Sequence, residues 1–285
     1  MTIAAIDAAE AQRLLDSPDL IAIGVRADDV RREMHGARTT FVRVFEVHVD
    51  AVPGALPGGL AAGEIRLAGR PLSLEAALAA VRTVAGLAGG VPVTGFSLAD
   101  LQAVAGASLP GACAALADAG LAAVAEVQVD QLTSDDEAAI ATVRRSGLGL
   151  SRLTVLELNA ADRLGLVLRA RDLQRSAGGF RIFAPLPRLS SVAAPSTGYD
   201  DVKQVAIARL LAPEIESIQV DWPLYGPKLA QFALTVGAND VDGIAAVDAG
   251  VLGTRRSPLE EIRGNIRAAG LDAVERNARY EVIRS

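Results

Sequence analysis

Three ionisable residues alternate along one short stretch, Glu46, His48 and Asp50 in FEVHVD. On a strand, a period of two puts all three on one face. A histidine between two carboxylates could serve as a general base or a metal ligand. Facing inward, the same trio would form a buried ionic network with Arg43, Arg66 or Arg181, because an unpaired buried charge is costly. Facing outward, it is a solvated edge.

Further candidates lie in the second half. Arg181 and Arg188 bracket FRIFAPLPR and, if they project at one mouth, would suit a carboxylate or phosphate. Glu157 and Arg152 share a strand-like segment and could line the same space. Lys228 follows Gly226-Pro227, a first helical turn whose free N–H groups can meet an anion, although a solvated helix residue is the plainer reading. Trp222, the only tryptophan, either closes a barrel mouth or stacks on a planar ligand. Asn239 and Asp240 are expected at the N-terminal end of the last strand, as turn and cap residues, with Asp242 pointing inward as a polar contact. His35, before Gly36, reads as a helix-end cap.

Composition narrows the chemistry. The 285 residues contain one cysteine, Cys113, too few thiols for an internal disulfide or an iron–sulfur cluster. Neither a metal centre nor a cofactor is expected. The formal net charge is −6, and no basic stretch interleaves with aromatics, so nucleic acid is an unexpected partner. No apolar run reaches roughly 18 residues, and the first segment has no basic start, so a cytoplasmic protein without membrane spans is expected.

The elements that must position these residues alternate. Helices are expected over 7–17 and 26–35, then a strand in TTFVRVFEVHV and another in EIRLAG. Strand and helix then alternate with short connections, through VPVTGF, AAVAEVQVD, LSRLTVLELN, FRIFAPLPR, SIQVDWPL and DVDGIAAV. Eight strand candidates separated by helices predict an α/β fold, a (β/α)8-like barrel of the TIM type. Its first crossover helix is missing, replaced by the Pro/Gly loop AVPGALPGGLAAG. GALPGG leads into a strand and has the wrong spacing for a dinucleotide fingerprint, which argues against an open doubly wound sheet. One barrel domain over 1–285 is expected, with 1–38 a helical extension and 256–285 a helical and extended tail.

HGARTTFVRVFEVHV, GGFRIFAPLPR, IQVDWPLYGPKLAQFALTVGANDVDGI and AAGLDAVERNARYEVI carry a resemblance. The chain resembles the radical SAM enzymes aminofutalosine synthase and dehypoxanthine futalosine cyclase of the menaquinone futalosine pathway, and more distantly the deazaflavin-precursor synthase subunits. The likeness runs from Leu14 to Ile283 and is most specific from Trp222 to Gly243. It implies a radical SAM-like barrel. Those enzymes follow the first strand with C-x-x-x-C-x-x-C and a helix, whereas here Val52 or Pro53 stands near the first cysteine's place. Their Gly-Gly pair after strand two is Ala68-Gly69 here, and their Gly-rich run ending in Glu is AEVQVD. The resemblance therefore implies a degenerate, cluster-free homologue. Its expected role is a non-catalytic partner of a radical SAM paralogue, in a hetero-oligomer or a homodimer. The alternatives are a non-radical enzyme or a protein binding a nucleoside or small carboxylate in the leftover pocket, and a move to an unrelated ligand.

Overall fold

The computed structural model describes residues 4–106, 108–133, 136–158, 162–189, 197–247 and 258–284. Two helices come first. α1 (Ala8–Asp16) starts where the Asp7 carboxylate accepts the Glu10 N–H at 2.7 Å. α2 (Leu20–His35) begins well before the expected start at residue 26, because the Asp19 side chain caps it by accepting the Ala22 N–H. It ends at Gly36, whose φ of 61° is left-handed.

The chain then runs through β1 (Arg38–His48), β2 (Glu64–Ala68), α3 (Leu74–Leu87), β3 (Val93–Ser97), α4 (Leu98–Ala105), α5 (Leu109–Asp118) and β4 (Leu121–Gln128). There follow α6 (Asp136–Arg145), β5 (Gly149–Leu150), β6 (Arg152–Glu157), α7 (Arg163–Ser176), β7 (Ile182–Leu189) and α8 (Gly198–Leu211). The last elements are β8 (Ser217–Asp221), α9 (Trp222–Leu234), β9 (Asp240–Ala245), α10 (Pro258–Ala268), β10 (Asp272–Arg276) and β11 (Val282–Arg284). Strand seven of the barrel is shorter than SIQVDWPL suggests: β8 stops at Asp221, which caps α9, and Trp222 is already helical.

β1, β2, β3, β4, β6, β7, β8 and β9 pair in parallel, and β1 closes the ring on β9. The expected eight-stranded barrel with outer helices is therefore the observed fold. Closure satisfies the ladder of every ring strand and leaves no edge in the ring. The first crossover, residues 49–63, has no helix. Its return is pinned by hydrogen bonds from the Ala61 N–H to the Ala246 carbonyl and from the Gly63 N–H to the Arg43 carbonyl. Gly63 has no room for a side chain, since a Cβ would lie 2.5 Å from the Arg276 carbonyl oxygen.

β1 is long enough to serve two neighbours on one edge. Val44–His48 pair with β2, and Arg38–Phe41 pair with β10, while β9 holds the other edge. β10 thus continues the barrel wall below β2, and β11 turns back against it antiparallel. The main core, including Phe41, Ile65, Val81, Ile140, Leu153 and Ile218, lies among the strands and the surrounding helices. α8 is buried from Asp201 to Leu211 because α1 and α2 cover its outer side. That explains why its sequence shows little helical amphipathicity.

Candidate functional site in the barrel lumen

TIM-type barrels usually fill their interior with branched apolar side chains. Here the filling is ionic, because several strands carry polar residues two apart: Glu64 and Arg66 on β2, Gln219 and Asp221 on β8, Asp240 and Asp242 on β9. The lowest tier centres on Asp240. Its carboxylate accepts Arg276 Nε at 2.7 Å, Arg276 Nη2 at 2.6 Å, Gln219 Nε2 at 2.6 Å and the Thr40 hydroxyl.

The middle tier centres on Asp242, which is 1% exposed. It accepts both terminal nitrogens of Arg66, at 3.0 and 2.8 Å, and Nη1 of Arg152 from across the barrel. Arg66 Nε donates to Glu64 at 2.8 Å, and the Thr94 hydroxyl donates to the same oxygen. Burial alone would raise the Asp242 pKa. Arg152 and Arg66 together outweigh it and hold the carboxyl well below the usual range. Burial likewise works against the Arg66 charge, but Asp242 and Glu64 raise its pKa. Arg152 goes the other way: burial and the Arg66 charge lower it despite Asp242.

The upper tier lies toward the C-terminal ends of the strands. Arg188 reaches Glu126 at 3.3 Å and Asp221 at 3.5 Å. Asp221 also caps α9 by accepting the Leu224 N–H at 3.0 Å. Burial, then the Asp242 charge, raise its pKa, and Arg188 only partly opposes them. Tyr225 donates its hydroxyl to the Pro187 carbonyl, which ties α9 to β7. Two interior atoms, Arg152 Nε and Thr154 Oγ1, have no hydrogen-bond partner among the described residues.

The sequence candidates do not converge on one place. Asp242 and Arg152 are in the lumen, Arg188 is at its mouth, and Trp222 is half-buried beside Asp221. Glu157 is exposed at the end of β6 and does not join Arg152. Arg181 does not share a mouth with Arg188. It precedes β7 at the opposite end, holds Glu216 at 2.8 Å and stacks over Tyr280. Lys228 is exposed just after Pro227, in the second half of an α9 that breaks at Gly226, φ 73° and ψ 167°. Asn239 and Asp240 are at the N-terminal end as expected, but both are buried: Asn239 Oδ1 accepts the Ile218 N–H and an Arg209 N–H.

Glu46, His48 and Asp50 are exposed and make no inward network. Register sets Glu46 beside Arg66, yet Arg66 turns to the two buried carboxylates instead. His48 lies 3.7 Å from Asp50. Its ring packs on Gly69, where a Cβ would come within 2.7 Å of Nε2. Sequence reasoning overlooked Glu64, Thr94, Glu126, Gln219, Asp221 and Arg276. The polar residues spaced by two within apolar strands were the signal that could have found most of them.

The cysteine motif that the resembled enzymes carry after the first strand has no counterpart in the β1–β2 connection, whose residues do not fit an iron–sulfur cluster. Residues 49–63 contain no cysteine. Cys113 is buried in α5, in the outer helical layer. Burial raises its thiol pKa, against the thiolate that iron requires. Among the described residues, no group of three His, Cys, Asp or Glu side chains is placed to hold a metal ion.

A family model described as the CofH/MqnC C-terminal region matches residues 183–285. This region supplies Arg188, Asp221, Asp240, Asp242 and Arg276 to the charged lumen. The chain is homologous to aminodeoxyfutalosine synthase of Streptomyces coelicolor, at 36% identity over 143 residues, 43% of this chain and 37% of that protein. It is also similar to the 5-amino-6-(D-ribitylamino)uracil–L-tyrosine 4-hydroxyphenyl transferase of Archaeoglobus fulgidus, at 37% identity over 133 residues, 42% of this chain and 39% of that protein. The matches span about two fifths of the length of these curated relatives. The barrel itself is shared with the FeFe-hydrogenase maturase HydG of Carboxydothermus hydrogenoformans, TM-score 0.66 at 12% identity, covering 95% of this chain and 76% of that one. Methylornithine synthase PylB gives a TM-score of 0.62 at 12% identity, covering 95% and 94%.

Proposed function

We propose that this chain is a cluster-free homologue of the radical SAM futalosine-pathway enzymes, and that it serves as a non-catalytic partner subunit of a cysteine-bearing relative. The observation that carries the reading is the β1–β2 connection. A Pro/Gly loop without a thiol, roughly the minimum length for a parallel crossover, stands there in place of a cluster-binding segment and its helix. The lumen supports it. Arg66, Arg152 and Arg188 are engaged by Glu64, Asp242, Glu126 and Asp221, so the charges that could grip an anionic substrate are already answered from within. The mouth also exposes Leu72, Leu189 and Leu224, at 90%, 50% and 50%, which suits a covering protein surface.

Co-expression with the aminodeoxyfutalosine synthase of the same organism tests this. A stable hetero-complex by light scattering is the expected result, and anaerobic iron and sulfide should load onto the relative alone. Two proteins that elute separately at tens of micromolar, on the order of a weak protein–protein Kd, overturn the partner role. A cubane spectrum from this chain by itself overturns the cluster-free reading.

A second reading rests on Arg152 Nε and Thr154 Oγ1, buried polar atoms without partners in the lumen. They suit a small ligand held as a nucleoside or carboxylate under Trp222. Saturating futalosine-type nucleosides would then raise the melting temperature by mass action, and an unchanged value removes this alternative.

A further inference from the structure

The N-terminal end of the barrel, opposite the mouth lined by Arg188 and Asp221, holds a partly open cavity of about 210 Å³. Ala122 and Ala123 of β4, Gly149 and Leu150 of β5, and Gly179 before β7 form its small, apolar side, and Thr94, Ser151 and Arg181 also line it. The C-terminal turn between β10 and β11 covers it with Arg279 and Tyr280.

That turn is firmly built. The Asn277 side-chain oxygen accepts the Arg279 N–H at 2.8 Å and the Glu281 N–H at 3.0 Å. Tyr280 is held at φ 67°, a conformation that disfavours a bulky residue and persists only where the surroundings impose it. Two guanidiniums pack on its ring, Arg276 at 4.1 Å and Arg181 at 4.5 Å from the centroid. The Tyr280 hydroxyl is buried beside Ser217 and makes no hydrogen bond of good geometry. Arg181 is already paired with Glu216, whereas Arg279 is exposed and has no ion pair among the described residues.

We infer that this cavity is a binding site for a small carboxylate with a ring-sized apolar body. A dry cavity of roughly 150 Å³ accommodates benzene, so the volume admits one ring with a substituent. The alanine and glycine walls take the ring. The Tyr280 hydroxyl and the Arg279 guanidinium are the donors left for the carboxylate, and a charged acceptor roughly doubles the strength of such bonds. The site is independent of the partner role, because it lies at the other end of the barrel.

Calorimetry on the full chain with benzoate, benzamide and acetate tests it. Benzoate should bind at least about tenfold more tightly than acetate, which lacks the ring, and than benzamide, which lacks the charge. Arg279→Gln and Tyr280→Phe should each weaken benzoate about three- to tenfold, in line with the loss of one charge-assisted hydrogen bond. Absence of benzoate heat at about 10 mM, equal binding of benzamide, or unchanged affinity in Arg279→Gln overturns the site. Arg279 is exposed, so its variant remains decisive even if Tyr280→Phe unfolds.

Discussion

Replacing Asp242 by asparagine should damage the fold far more than the same change at an exposed carboxylate. Asp242 is 1% exposed and stands between Arg66 and Arg152, which are themselves 6% and 3% exposed. In the native middle tier, two guanidiniums face two carboxylates, Glu64 and Asp242, and the charges cancel. The neutral amide of Asp242→Asn would leave one buried positive charge uncompensated and aim its own hydrogens at a donor. Breaking a buried pair in this way costs about 3–5 kcal/mol. For a chain of this size, the melting temperature should fall by roughly 8–15 °C. The rescue is specific. In Asp242→Leu with Arg152→Met, the charges cancel again, because Arg66 keeps Glu64, and most of the loss should return. Urea unfolding followed by circular dichroism and by the fluorescence of Trp222 reads both variants. A loss under about 1 kcal/mol for Asp242→Asn refutes the electrostatic reasoning. So does a double variant no more stable than the single, since the cost would then lie in packing.

His35 should make stability depend on pH. Burial, followed by the Arg209 charge, pushes its pKa down to about 4, although its Nε2 lies 2.9 Å from the Glu216 carbonyl. The unfolded chain, with a histidine pKa near 6.5, binds the proton more readily, so this contribution is complete above about pH 6.5 and is lost as the pH falls toward 4. The loss is on the order of 2–3 kcal/mol, and His35→Gln, which keeps an N–H donor, should flatten that part of the profile in urea titrations at each pH. Gly69→Ala should destabilise by about 1–3 kcal/mol, since φ is 87° and the new Cβ would meet the His48 ring at 2.7 Å. Adding His48→Ala should recover the steric part alone, and full recovery in thermal unfolding would show that the backbone angle carries no cost.

Local signals in the chain were enough for the alternation of strand and helix. Ser73 caps α3, Gly36 ends α2, and a Pro/Gly loop stands in place of a first crossover helix. These depend on hydrogen bonds and dihedral limits within a few residues, which composition and spacing express directly. The number of thiols was likewise a property of composition. What only the closed barrel decided was the pairing of charges. Arg152, Arg66 and Asp242 come from three strands and meet because the ring brings opposite walls within reach of a guanidinium. The exposure of Glu46 and the separation of Arg181 from Arg188 have the same origin. Period two sets which face a residue takes, but the end of the barrel it occupies, and the carboxylate that competes best for a given arginine, follow from strand stagger and burial.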